Sequence, residues 1–285
     1  MRQSVSLSER IIMRVKQSHR GNSPARSTGG REESGVAEVR TSKRILTIDV
    51  GGSNIKILTT GQTKPRRIPS HKKLSPLDMV QAVQKLAKGW TFDAVSIGYP
   101  GLVGNHGPRS EPGNLGTGWV GFNFAAAFAL PVKIVNDAAM QALGSYEGGK
   151  MLFLGLGTGL GSTLIAENII IPLELGRLKY NRKDSFVDVL GKRGLKRLGK
   201  RTWRHTVIEI ATNIAEAFVV DTVVLGGGNA KELGVLPHGM QISGNQAAFR
   251  GGFRLWRLED IRIHLTKSDH HLADPTAGVE EWRML

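Results

Sequence analysis

The strongest pattern along the chain is Ile45-Leu46-Thr47-Ile48-Asp49-Val50-Gly51-Gly52-Ser53-Asn54-Ile55-Lys56. A β-branched apolar run ends at an acid, crosses two glycines and small polar residues, and begins again. This predicts a strand, a tight turn and a returning strand over 44–60, with a third short strand near 66–69. Met79, Val80, Val83, Leu86 and Ala87 then recur at helical spacing behind Ser75 as N-cap and Pro76 at the first helical position, which predicts a helix from about residue 76. Residues 92–98 read as a buried strand, and 132–135 as another that runs into Asn136-Asp137 and a helix over 138–146. Apolar runs at 151–155 and 162–166 flank a second glycine turn, 155–161. An apolar stretch at 169–172 leads to Glu174 and a basic segment. A helix over 207–218, a strand over 222–225 closed by Gly226-Gly227-Gly228-Asn229, and a last helix over 245–256 complete the pattern.

The two strand–glycine–strand units form a weak internal repeat. They predict two related α/β lobes, 44–135 and 136–256, facing a shared cleft. Between them, 103–121 is crowded with Gly and Pro yet carries Asn114 and Trp119, and a loop of that length reads as a shaped binding loop. Residues 1–43, rich in Ser, Gly, Arg and Glu, read as a mostly disordered basic extension too short for a complete helix-turn-helix. Residues 257–285 read as an appended tail.

Length and composition sharpen this only in places. A chain of 285 residues suits one large or two medium domains. With no cysteine, disulfides and thiolate zinc sites are excluded. No apolar stretch before Ile45 is long enough for a signal-peptide core and no run elsewhere could span a bilayer, so a soluble, cytoplasmic protein is expected. The net charge of +15 is concentrated: residues 177–204 hold eleven Lys/Arg against two Asp/Glu, and residues 1–43 nine against four. A patch of that kind attracts a polyanion.

Three strand-to-glycine turns point to a nucleotide or phosphate site. In such turns backbone N–H groups approach an anion closely and form an anion-binding concavity. Asp49, at the end of a strand, could hold a hydrated Mg²⁺ against a phosphate. None of the turns fits the dinucleotide fingerprint. The near P-loop 194–201 places Arg201 where a Mg²⁺-binding hydroxyl belongs and follows no buried strand, so it is rejected. Asp137, where a strand passes into a helix, is the candidate general base; Asn136 or Asp137 could equally cap that helix. Glu174 and Asn114 suit adjacent hydroxyls of a polyol. Lys192, Lys196 and Lys200 run beside Arg193, Arg197 and Arg201, and in a helix both rows would share one face open to an anionic partner. Few aromatics are interleaved, which argues against nucleic acid.

In their order, the motif 49–56, the loop from Pro112-Gly113-Asn114 to Trp119, Asn136-Asp137, and the turns 155–161 and 226–228 resemble those of ROK-family sugar kinases, especially the polyphosphate glucokinase branch. The resemblance covers about 44–256 and implies an α/β, two-lobed actin-like ATPase (ribonuclease H-like) fold with a central cleft. It implies a glucokinase moving a phosphoryl group from inorganic polyphosphate or ATP, with Mg²⁺, to the 6-hydroxyl of glucose in glycolytic carbohydrate metabolism. By that resemblance Asp137 is the base, and Asn114, Asn136 and Glu174 bind sugar. Asp49 with Gly51, Gly52, Ser53, Asn54 and Lys56, and Gly157, Thr158 and Gly159, bind phosphate, while Gly226, Gly227 and Gly228 support the nucleoside. The basic rows offer a track for polyphosphate. Many relatives carry Glu-x-Gly-His followed by a cysteine-rich zinc motif; here Glu174-Leu175-Gly176-Arg177 stands without cysteine, so structural zinc is not expected. Arg177 puts strict glucose specificity in question. The alternatives are an ATP-dependent kinase of another hexose or amino sugar, or a sugar-responsive regulator lacking its DNA-binding domain. A homodimer is left open, and neither membrane nor nucleic acid is expected as a partner.

Overall fold

A computed structural model describes residues 43–244 and 246–256, with the backbone of Arg262–Ile263. The expected extension over 1–43 therefore lies outside the described residues apart from Lys43, and so does the 257–285 tail apart from that two-residue strand.

In chain order the first half comprises β1 (Ile45–Val50), β2 (Asn54–Thr59), β3 (Arg66–Pro69), α1 (Pro76–Leu86), β4 (Ala94–Tyr99), the two-residue strands β5 (Val103–Gly104) and β6 (Gly107–Pro108), α2 (Phe124–Phe128) and β7 (Val132–Asn136). The second half follows with α3 (Asp137–Ser145), β8 (Met151–Leu156), β9 (Leu160–Ala166), β10 (Ile169–Leu173), α4 (Phe186–Leu190), α5 (Lys192–Phe218), β11 (Thr222–Gly226), β12 (Met240–Ile242), α6 (Ala247–Arg254) and β13 (Arg262–Ile263).

The first sheet has the order β3-β2-β1-β4-β7, and the second β12-β11-β8-β9-β10-β13. In each, a hairpin closed by a glycine turn (β1–β2, β8–β9) takes a further antiparallel strand on its returning arm and parallel strands on its leading arm. The expected repeat is thus a repeat of topology. β1 and β4 are buried almost throughout, as near-continuous apolar strands covered on both faces must be. Helix α1 begins as its sequence dictates, with Pro76 at N1 and a capping box between Ser75 and Asp78.

Separate apolar clusters fill the two halves. One surrounds Ile48, Ile57, Val83, Ile97 and the fully buried Trp119. The other surrounds Leu154, Leu190, Trp203, Val207 and Leu225. A third cluster joins α3 and α6 to β8, β9 and β11. Here α6 returns to the first sheet as well: Ser96 Oγ donates to Gly252 O at 2.7 Å, and a Cβ on Gly252 would lie 2.3 Å from Thr47 of β1.

Three expectations need correction. The helix expected over 207–218 begins at Lys192, but Gly199 adopts φ 75° and ψ 159° and breaks it. The two basic rows consequently share one helical face only through Leu198, because a left-handed residue redirects the chain. The loop over 103–121 contains the β5–β6 hairpin. The last helix is shorter than expected, at Ala247–Arg254.

Candidate active site

Asp49 closes β1 with its side chain only 16% exposed, and Lys56, its register partner on β2, brings Nζ within 3.6 Å. Burial raises the carboxyl above its usual range, and Lys56 opposes that rise. The turn that follows is fixed by Gly51 N donating to Asn54 O and by Ser70 Oγ donating to Gly51 O. Gly52 faces Asn114 so closely that a Cβ there would lie 1.9 Å from the Asn114 amide nitrogen. The loop bearing Asn114 is itself anchored: the Glu111 carboxylate accepts from Trp119 N and Val120 N, and Trp119 packs on Tyr99 and Phe124.

The β7–α3 junction resolves which residue caps the helix. Asn136 is the N-cap, with Oδ1 accepting from Ala138 N and Ala139 N while Nδ2 donates to Gly101 O at 3.1 Å. Asp137 is the first helical residue and lines the cleft, its Oδ1 accepting from Ala138 N at 2.8 Å. Its carboxyl is pushed up to about 7, first by burial and then by the charge of Asp49, with a smaller push from Glu174; backbone N–H groups act in the opposite sense. An acid whose proton leaves near neutrality is suited to general-base work.

The second glycine turn stands opposite. Gly157 is held on both sides: its O accepts from Lys192 N at the start of α5 and from Asn229 Nδ2, and its N donates within the turn to Gly159 O. Asn229 N also donates to Leu156 O, which ties the 226–228 turn to the 157–159 turn. Gly227, at φ 82°, has no room for a side chain, since a Cβ would lie 2.7 Å from the Leu156 backbone.

A cleft of about 900 Å³ joins these parts. From the expected set it gathers Gly52, Asn114, Asn136, Asp137, Gly157, Thr158, Gly159, Glu174 and Gly227 along its walls. Asp49, Gly51, Ser53, Asn54, Lys56, Gly226 and Gly228 are not among the residues that line it. Two basic side chains also line it, Arg177 and Lys179, and Arg177 Nε sits 3.7 Å from Glu174 Oε2. Gln141 and Lys179 were not foreseen. Gln141 was within reach of sequence reasoning, because it sits four residues after Asp137 on the same helical face; Lys179 carries no such signal.

The basic track is partly occupied from within. Arg193 pairs with Asp188, Arg197 with Asp184 at 2.8 Å, and Lys200 with Glu232 at 2.9 Å. Among the described residues no ion pair is recorded for Lys192, Lys196 or Arg201. No helix among the described residues is long and apolar enough to cross a membrane.

No family model matches the chain. Over 226 residues it is 28% identical to the polyphosphate glucokinase of Mycobacterium tuberculosis (strain H37Ra), covering 71% of this chain and 84% of that protein. Among solved structures it superposes on the inorganic polyphosphate/ATP-glucomannokinase of Arthrobacter sp. strain KM with a TM-score of 0.64 and 21% identity, covering 75% of this chain and 98% of that one. It superposes on the ROK family glucokinase of Streptomyces griseus, solved with glucose and AMPPNP, with a TM-score of 0.57 and 17% identity, over 74% and 98% of the two chains. The chain is therefore a sequence relative of the polyphosphate glucokinases and carries the two-lobed, actin-like fold of the ROK-family sugar kinases.

Proposed function

We propose that this protein is a glucokinase that transfers a phosphoryl group from inorganic polyphosphate or ATP to the 6-hydroxyl of glucose, in the cytoplasm. The observation that carries this reading is the position of Asp137, which stands at the first turn of α3 on the wall of a cleft bounded by the 51–53 and 157–159 turns, with Asn136 taking the capping role. Asp137 accepts the proton of the attacking hydroxyl. Asn114 and Glu174 hold neighbouring sugar hydroxyls, and Asn136, with both ends of its amide already bonded to the backbone, sets the direction of Asp137. The glycine turns present backbone N–H groups to the donor phosphates. Most of the rate then comes from position and electrostatics.

Magnesium fits these residues in a particular way. Among the described residues no group of three or more His, Cys, Asp or Glu side chains converges to hold a metal. Asp49 would be the carboxylate on the ion, with phosphate oxygens and water completing the shell, an arrangement Mg²⁺ favours. When bound, the ion neutralises charge on the donor phosphates.

The pairing of Arg193, Arg197 and Lys200 with internal carboxylates favours a second reading in which ATP is the working donor. A coupled assay of glucose 6-phosphate formation with ATP and with polyphosphate separates the two. Asp137→Asn should lower kcat by at least about a thousandfold with either donor while glucose binding changes only a few-fold. A variant with near wild-type turnover would remove Asp137 from the mechanism.

A further inference from the structure

We infer that Arg177 is a specificity-determining residue that turns protonated amino sugars away from the cleft. The inference rests on reading the cleft as a sugar site and concerns which sugars enter it. Glu174 and Arg177 stand at the two ends of one short turn after β10, a one-turn 3-10 helix spanning Leu175–Arg177, with Arg177 N donating to Glu174 O. Their side chains are 51% and 79% exposed, and both line the cleft. A pair so exposed contributes little to the fold, so its meaning lies in the charge it sets on the cleft wall.

Without Arg177, Glu174 would be an unpaired carboxylate on the same cleft as Asp137, with Asp49 beyond it held by Lys56. Such a wall attracts an ammonium group on a sugar ring. With Arg177 in place, its guanidinium Nε lies 3.7 Å from Glu174 Oε2 and offsets the carboxylate's charge, while Glu174 Oε1 stays available as an acceptor for a hydroxyl. Lys179, two residues on, adds a second positive charge to the same wall. A neutral hexose keeps its hydrogen bond, whereas a cationic one loses its electrostatic attraction and meets a guanidinium. Discrimination against the wrong ligand by like charge is a recognised route to specificity.

The test measures binding of glucose and of glucosamine by calorimetry to wild type, Arg177→Gln and Arg177→Lys, at about pH 6, where the sugar amine is charged, and at about pH 9, where it is largely neutral. Variant and wild type are compared at the same pH, so protonation of Asp137 is common to both. Arg177→Gln should tighten glucosamine roughly five- to tenfold at the lower pH and leave it nearly unchanged at the higher, with glucose moving less than about twofold at either. Arg177→Lys should keep the wild-type preference. Glucosamine affinity that does not respond to Arg177→Gln, or responds equally at both pH values, overturns the inference. Glucose turnover is read separately. Binding without turnover removes the kinase reading while the selectivity stands on the binding data, and failure to bind any hexose removes both.

Discussion

Asn136 and Asp137 are neighbours of similar chemistry, and either could have capped α3. Sequence alone identified the junction but could not divide the labour, because both residue types are favoured caps. The structure gives the cap to Asn136, whose amide also bonds Gly101 O, and leaves the Asp137 carboxyl toward the cleft. Burial beside Asp49 then raises that carboxyl from 3.8 to about 7. As a base it works only when ionised, so kcat/KM should rise about tenfold per pH unit on the acid side and level off above about pH 7, as a pH–rate profile would show. Stability has the opposite sign. The folded state binds this proton more tightly than the unfolded state, so the contribution of Asp137 to stability declines as pH rises from about 4 to about 7 and stays lost above. Asp137→Asn should therefore be the more stable protein at about pH 8, by roughly 1–2 kcal/mol after allowing for solvent in the cleft, measurable by urea unfolding.

At the scale of elements, the contact between α3 and α6 joins the two halves of the site. A Cβ on Gly144 would fall 1.7 Å from Ala247 O, and one on Gly251 would fall 1.8 Å from Met140 O, so the two backbones meet with no side chain between them. Gly251→Ala should lower the unfolding free energy by about 2–4 kcal/mol and reduce activity, since the added methyl can be relieved only by moving backbone. Differential scanning calorimetry beside the glucose assay would register both effects. This contact was illegible in the sequence, which marks 138–146 and 245–256 as helices but carries nothing that sets one against the other. Periodicity did reveal α1, and the β-branched runs revealed β1, β4 and β7, because each buries its own pattern locally. The first half of α5 was hidden by Gly194 and Gly199. The former packs against Val189 and the latter turns the chain, so glycine served packing at one position and a bend at the other.

At the scale of the whole molecule, the two sheets repeat one topology and bring their glycine hairpins to a common cleft. The concentration of positive charge over 177–204 was plain from composition. The pairing of three of its cations was not, since Asp184, Asp188 and Glu232 find their partners only in three dimensions. If polyphosphate is a donor, Lys196 is a cation that could meet it without first leaving an internal partner. Lys196→Glu should then raise the KM for polyphosphate several-fold and steepen nothing for ATP, whose KM should stay within about twofold. Raising salt from about 0.05 to 0.5 M should erase most of the difference, because exposed charges are screened at that strength.

Helix α6 rests on both β1, which ends in Asp49, and α3, which begins with Asp137. It comes from residues 247–254, nearly two hundred positions after β1. A chain still emerging from the ribosome can form its first sheet early, but it lacks the brace that aligns the two acids until those late residues leave the exit tunnel. Alignment of the two acids therefore depends on residues distant from both in the chain, and removing 247–254 would leave β1 and α3 without their common support.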